Sequence, residues 1–344
     1  MSYVVNSRLL DVDYRKQHIQ ALLRLHLEGK DLSGSPVVEW AHRTVSRGGW
    51  WYGCEGKQST ELEECIMKRQ QAIIDLYCSI KKDGYNGSPI AVYFDKETGE
   101  IHTYDGYHRL SIMDFLGVSA DVNCVVSYHH PTDPRQRGDF PLEDRLRELN
   151  SGEYLYEPCE DPRVRDWPVW RPDSEGRLNV VLEGLVEGSV LDVGCSCGWF
   201  SRQLARRGFK VTSLESNAKR LAVARYLSIT QNLAVENLLG KWQSLDRCFD
   251  NVLMLSVLHH DFLSVGPDRA FMDLKRLRGR CRRLIVEVPL SAASVAWLPP
   301  NQKDTWNFTL DEMVWRLQDA TGLRERSIRY VHPSRPIIVL EAKR

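Results

Sequence analysis

Three clusters of residues in this 344-residue chain have the types and spacing for chemistry. The first is Asp192-Val193-Gly194-Cys195-Ser196-Cys197-Gly198, with Glu215 one apolar run later. Small residues after a buried strand let the backbone pass close to a ligand, and a helix opening near Gly198 turns its free N–H groups toward the same space. An acid ending the next strand is placed to accept both hydroxyls of a ribose, so the pair suits a nucleoside-bearing ligand. The second cluster is His259-His260, where a neutral imidazole can act as general base toward a hydroxyl. The third is Asp105-Gly106-Tyr107-His108-Arg109. A glycine followed by His-Arg at a helix start offers backbone N–H groups and two cationic donors to a phosphate.

These residues need elements to position them. Ser189–Val193, Lys210–Leu214, Asn251–Leu255 and Leu284–Val288 are short apolar runs, with helical stretches over 198–207 and from Asn217 onward. Uniformly apolar strands alternating with helices predict a parallel sheet covered on both faces. Thr309-Leu310-Asp311-Glu312 reads as a capping box opening a helix that stops at Gly322. Ser327–Val331 and Ile337–Ala342 then form an antiparallel closing pair. In the N-terminal half the pattern predicts a helix over 69–80, strands at Pro89–Phe94 and Ile101–Tyr104 joined by a turn, a helix from Asp105 to Gly117, and a strand around Asn123–Val126. Pro131, Pro134, Pro141, Pro158, Pro162, Pro168 and Pro172 interrupt regular structure between the halves. The expected organisation is a smaller α+β domain with an N-terminal helical extension over 1–130, a connector or lid over 131–175, and an α/β domain over 176–344.

Composition narrows the partners. Lys plus Arg number 46 and Asp plus Glu 46. Residues 1–150 hold 18 basic and 22 acidic side chains, and 151–344 hold 28 and 24, which splits the zero net charge into −4 and +4. A chain gripping duplex nucleic acid through phosphates needs a net basic face, so nucleic acid is disfavoured as a partner. The apolar stretches fall well short of the roughly 18 residues a membrane span needs, and the N-terminus lacks a basic start with a long apolar run. Nine cysteines without a CxxC pair disfavour disulfides and zinc ribbons and predict a cytoplasmic protein with reduced thiols. Six basic residues between Lys275 and Arg283 fall at a predicted helix C-terminus, where the macrodipole favours them as a solvated end. The Gly194-x-x-x-Gly198 spacing misses the dinucleotide fingerprint G-x-G-x-x-G. Gly194-Cys195-Ser196-Cys197-Gly198 does satisfy a nucleophile elbow, with Asp250 or Asp304 and His332 downstream, but no His-Gly oxyanion loop accompanies it.

The Asp-Val-Gly-Cys-Ser-Cys-Gly loop, Glu215, and the run from Cys248 to His260 resemble a class I S-adenosylmethionine-dependent methyltransferase, over roughly 165–344. The resemblance implies a seven-stranded Rossmann-like sheet and S-adenosyl-L-methionine as cofactor. It implies cofactor contacts from Asp192, Gly194, Cys195, Ser196, Gly198, Glu215, Trp242 and Ser256, with Trp242 standing near where family members place an acid beside adenine. His259 and His260 would be the catalytic residues on the acceptor side. Arg163, Arg165, Trp167, Trp170 and Arg171 lie where a lid meeting the cofactor carboxylate is expected, or where a connector is stapled to its domain. The implied reaction is O-methylation of a small-molecule or nucleotide-type acceptor.

Residues 65–128 or so resemble a ParB/sulfiredoxin-like domain through Gly106-Tyr107-His108-Arg109. That resemblance implies phosphate binding by Gly106, His108 and Arg109, with Asp105 near the reacting group or a metal. The ligand would be a nucleotide such as ATP, ADP or CTP with Mg. Tyr107 stands where sulfiredoxins carry their cysteine, which disfavours redox repair. The alternative reading is then a bifunctional protein whose N-terminal domain binds or hydrolyses a nucleotide or phosphorylates a small molecule, with Glu39 or Glu64 available as a catalytic acid.

Overall fold

A computed structural model of the chain describes residues 2–10, 15–128 and 138–342. The chain forms two compact units, one built from residues up to 139 apart from 96–100, together with 230–232, and the other from the remainder. Pro131 and Pro134 lie outside the described residues.

The first unit contains β1 (Ser2–Asn6), α1 (Arg15–Leu27), α2 (Pro36–Ser46), α3 (Ser59–Asp83), β2 (Ile90–Phe94), β3 (Ile101–Asp105), α4 (Tyr107–Phe115) and β4 (Asp121–Val126). Its sheet runs β1-β4-β2-β3, with β2 and β4 parallel and the other pairs antiparallel. Val122, Cys124 and Val126 alternate with exposed neighbours along β4, the period of a half-buried strand. They share the core with Ile19, Leu22 and Leu23 of α1 and with Ile112 and Met113 of α4. Cys54 and Cys65 are joined in a disulfide, which corrects the expectation of wholly reduced thiols. The other seven cysteines are free.

The second unit contains α5 (Leu142–Asn150), α6 (Ser174–Gly184), β5 (Ser189–Val193), α7 (Trp199–Ala205), β6 (Lys210–Glu215), α8 (Ala218–Thr230), β7 (Val235–Leu239), β8 (Phe249–Leu255), α9 (Leu258–Val265), α10 (Pro267–Leu274), β9 (Cys281–Glu287), α11 (Leu310–Thr321), β10 (Arg324–His332) and β11 (Arg335–Glu341). The seven strands run β10-β11-β9-β8-β5-β6-β7, parallel except for β11, which is antiparallel to both neighbours. The chain winds outward from β5 through β6 and β7, then returns to β8 on the other side. Such a reversal leaves a crevice at the carboxyl ends of β5 and β8.

Local chemistry supports these elements. Val252, Leu253, Met254, Leu284, Ile285 and Val286 are buried between the helical layers. Thr309 Oγ1 accepts from the Glu312 amide at 3.2 Å while Glu312 Oε2 accepts from the Thr309 amide at 2.8 Å. This capping box contributes about 0.5–2 kcal/mol to the start of α11, and Gly322 ends the helix at φ +73°. Residues 151–173 carry no named helix or strand, belong to the second unit, and are joined back on themselves by a bridge between Leu155 and Val169. No helix among the described residues is long and apolar enough to cross a membrane.

Candidate active site

The loop after β5 is held by backbone geometry that favours glycine. Gly194, Ser196 and Gly198 all have positive φ, at +65°, +54° and +75°. A Cβ on Gly194 would stand 2.6 Å from Val257 Cγ2, so only glycine lets the loop pass this close to the end of β8. The amides of Gly194 and Cys195 both donate to the Leu214 carbonyl, at 2.7 and 3.2 Å, tying the loop to β6. Ser196 adopts the left-handed region without being glycine, a strain of about 1–2 kcal/mol. Its amide donates to Glu215 Oε2 at 2.9 Å, and the Asn217 amide donates to Glu215 Oε1 at 2.8 Å. Two backbone donors thus orient the carboxylate, and its remaining lone pairs are available to hydroxyl donors.

A cleft of about 560 Å³ opens at these strand ends, within the size range of small-ligand and cofactor sites. Of the residues anticipated from sequence, Gly194, Ser196, Glu215, Trp242, Ser256, His259 and His260 line it. Asp192, Cys195 and Gly198 do not. Asp192 is buried beneath the loop, where Ser201 Oγ donates to Oδ2 at 2.6 Å and pins α7 to β5. Burial, reinforced by the charges of Glu157 and Glu215, raises its carboxyl to about 7. The Cys195 thiol is likewise buried, and burial pushes it well above the ordinary thiol range.

Opposite the glycine loop, α9 presents two imidazoles. The ring centroids of His259 and His260 are 4.2 Å apart, and His260 stacks on Trp297 at 5.5 Å with an interplanar angle of 14°. His259 is almost wholly buried and its Nδ1 has no hydrogen-bond partner. Burial, with His260, Arg335 and Arg171 adding repulsion, depresses it to about 2. Burial lowers His260 as well, against the opposing pull of Asp261. Both rings are therefore neutral near pH 7.

A charged cluster joins Arg171 and Ser256, both anticipated from sequence, to Glu287, Arg177 and Arg335, which were not. Glu287, at the end of β9, accepts from Arg171 Nη2 at 2.8 Å and from Arg177 Nη2 at 2.7 Å. Ser256 Oγ donates to Glu287 Oε2 at 2.7 Å and accepts from Arg171 Nη1 and Arg335 Nη1 at 3.2 and 3.0 Å. Burial alone would raise Glu287, but Arg177, Arg171 and the Ser256 hydroxyl outweigh it and hold the carboxyl below its ordinary value. The partners are 85 to 116 residues apart along the chain in the Arg171 contacts, so no local pattern announces them. Asp261 was also missed. It accepts from Trp242 Nε1 at 3.0 Å and from Gln243 Nε2 at 3.3 Å, bringing an acid from α9 beside the tryptophan that follows β7.

The lid candidates divide. Trp170 and Arg171 line the cleft with Tyr156, whereas Arg163 is engaged with Asp161 and the Tyr226 hydroxyl, and Arg165 pairs with Asp166. The hydrolase arrangement is not assembled. Ser196 Oγ accepts from Arg220, Asp250 is bound to Ser189 at the opposite end of the strands, and His332 is exposed beside Ser334. In the basic run, Arg280, Arg282 and Arg283 pair with Asp246, Asp250 and Glu341, and Arg278 donates to carbonyls ending α11.

In the first unit, Gly106 caps α4 at φ +107°, where a Cβ would meet Ile90 Cδ1 at 2.4 Å. Arg109 donates to the Ser88 carbonyl at 2.8 Å and approaches Asp105 at 3.6 Å, and His108 packs on Tyr52 at 5.0 Å. The four residues singled out for phosphate binding thus sit together at the start of α4, with the arginine already engaged by its own chain. No group of three or more His, Cys, Asp or Glu side chains able to hold a metal occurs among the described residues.

Comparison with known proteins places the chain in a family. A family model described as a methyltransferase domain matches residues 190–278. A ubiquinone biosynthesis O-methyltransferase of Caulobacter vibrioides is 30% identical over 175 residues, covering 46% of this chain and 67% of that protein. One of the same description from Pectobacterium carotovorum is 34% identical over 173 residues, covering 46% of this chain and 71% of that protein. The O-antigen chain terminator bifunctional methyltransferase/kinase WbdD of Escherichia coli is 26% identical over 148 residues, 38% of this chain and only 21% of that protein. Its crystal structure at 2.2 Å resolution aligns with a TM-score of 0.48 at 22% identity, covering 58% of this chain and 46% of the other. The glycine loop, the acid ending β6, the seven-stranded sheet and the two O-methyltransferase relatives agree, and the chain belongs to the class I S-adenosylmethionine-dependent methyltransferases.

Proposed function

We propose that this protein O-methylates a small-molecule or nucleotide-type acceptor within the cleft between the glycine loop and the histidine pair. The observation that carries the reading is that Glu215 and His260 line one cleft, the first bound by loop amides and the second held neutral against Trp297. Gly194, Ser196 and Glu215 are the residues to hold the ribose and methionine portions, with Asp192, Cys195 and Gly198 shaping the loop from below. Trp242, with Gln243 and Asp261, forms the adenine side, and Ser256 ties Arg171, Arg335 and Glu287 together in the cleft wall. When bound, S-adenosylmethionine supplies a methyl group made electrophilic by its sulfonium.

The protein's own work is to align and to deprotonate. Fixing an acceptor oxygen in line with a methyl group removes much of the entropic barrier. His260 takes the hydroxyl proton, since a neutral imidazole facing the cleft is a competent base. His259, at about 2, is too weak a base for that step and instead buttresses the His260 ring. Titration calorimetry with S-adenosylhomocysteine tests the site: saturable heat from the wild type, lost in a folded Glu215→Ala, is expected. No heat from folded wild type overturns the reading.

For the first unit we propose a ParB/sulfiredoxin-like domain that binds a nucleotide, with Mg, at Asp105, Gly106, His108 and Arg109. Its support is the left-handed Gly106 cap, which opens α4 without a side-chain cap bond and with His108 and Arg109 in its first turn. A bifunctional relative bearing a kinase activity is consistent with that second role. A cytoplasmic location is proposed on the seven free thiols.

A further inference from the structure

The cleft wall carries more positive charge than it neutralises. Arg171 is fully engaged by Asp173, Glu287 and Ser256. Arg220, Lys241 and Arg335 also line the cleft, and none is in ion-pair contact with a carboxylate among the described residues. The acids of the wall are Glu215 and Asp261, two carboxylates against these three cations. A bound S-adenosylmethionine adds to this excess, because its sulfonium and ammonium outnumber its one carboxylate. A neutral acceptor would leave several like charges uncompensated in a partly desolvated space, which is unfavourable.

Arg335 is the cation best placed to answer that imbalance on the acceptor side. The two-residue turn Pro333-Ser334 between β10 and β11 delivers it to the cleft. One Nη donates to Ser256 Oγ, which leaves the remaining guanidinium donors for a ligand. Its charge is felt by both His259 and His260, whereas Glu215 and Arg220 act on His260. Burial lowers the Arg335 pKa, with Glu287 opposing, as for a cation whose lost hydration is not fully replaced.

We infer that Arg335 binds an anionic group of the acceptor, a carboxylate or a phosphate, and that this cleft selects acidic acceptors over neutral ones. The inference rests on the methyl-transfer reading of the cleft. A planar fork of donors suits either anion, and the ring of Trp297, more than half exposed, lines the same cleft.

The test is calorimetric titration of inorganic phosphate and, separately, benzoate into protein saturated with S-adenosylhomocysteine, for wild type, Arg335→Gln and Arg335→Lys. At least one anion is expected to bind the wild type, and the anion that binds best identifies the group as phosphate or carboxylate. Losing a charge-assisted contact in Arg335→Gln should weaken that binding roughly ten- to a hundred-fold, with affinity for S-adenosylhomocysteine held within about twofold. Arg335→Lys, which keeps the charge, should recover part of the loss. If neither anion binds the loaded wild type, or binds it no better than Arg335→Gln, the inference is overturned. It is equally overturned if Arg335→Gln loses affinity for S-adenosylhomocysteine itself, because Arg335 then serves the cofactor's carboxylate. Failure of wild type to bind S-adenosylhomocysteine is a separate outcome that sinks the underlying methyltransferase site.

Discussion

The imidazoles of His259 and His260 stand 4.2 Å apart, centroid to centroid, on the first turn of α9, a spacing at which two neutral rings are stable and two imidazolium ions are not. Burial, with Arg335 and Arg171 adding positive charge, keeps His259 neutral well below the usual histidine range, and burial lowers His260 as well. Replacing His260 with Gln, which removes the proposed base, should lower the methyl-transfer rate by roughly 10²–10⁴-fold. His259→Gln should cost far less. Single-turnover transfer to an acceptor established for the wild type checks both, and equal losses in the two variants would contradict the assignment.

The same burial makes stability depend on pH in two opposing ways. His259 takes up a proton on unfolding below about pH 6.5 but not in the folded state until about pH 2, so its contribution is lost as pH falls. Asp192 is the reverse: held up at about 7 when folded, it favours the native state at acid pH and loses that contribution as pH rises through 7. Asp192→Asn should therefore lose stability more steeply than wild type between pH 6.5 and 5, by up to about 1.4 kcal/mol per pH unit. His259→Gln should lose it less steeply. Urea midpoints at fixed pH values provide the measurement, and parallel slopes in all three proteins would contradict the opposition.

Glu287 is a buried carboxylate shared by two guanidinium groups. Glu287→Gln leaves Arg171 and Arg177 short of their charge partner and should destabilise the fold by about 3–5 kcal/mol. Ser256→Ala removes one hydroxyl from the same cluster and should cost only about 1–3 kcal/mol. Denaturant unfolding compares them, and a Ser256→Ala as damaging as Glu287→Gln would show that the hydroxyl rather than the charge organises the cluster.

The glycine loop offers paired substitutions of opposite sign. Gly194→Ala forces a side chain against Val257 at positive φ and should destabilise by more than about 1 kcal/mol. Ser196→Gly relieves a left-handed serine and should retain or raise the melting temperature despite losing the Arg220 contact. Thermal melts decide both, and a marked loss in Ser196→Gly would mean that the Arg220 contact outweighs the strain.

Legibility in the sequence followed how local each signal was. β5, β8 and β11 each contain an apolar run, and the capping box of α11 lies within four residues, so each was readable in place. β7, Val-Glu-Asn-Leu-Leu, is a half-exposed edge strand, and its polar residues masked it. β1 is only five residues long and is defined by pairing with β4, more than a hundred positions away. The glycine loop and Glu215, which the structure brings to one cleft, were legible because glycine and an acid at strand ends have few other uses. Arg335, Asp261, Trp297, Glu287 and Arg177 were not, because nothing in their own neighbourhoods distinguishes them from surface charge or core residues. The Cys54–Cys65 bond escaped for a similar reason, since counting cysteines does not say which pair meets.

A crystal structure with S-adenosylhomocysteine tests the central claim most directly. Ligand density in this cleft, with the ribose hydroxyls on Glu215 and the sulfur facing His260, is the expected result. A ligand seated elsewhere, or one in the cleft whose sulfur faces away from the histidine pair, would contradict the assignment of both the cofactor site and the base.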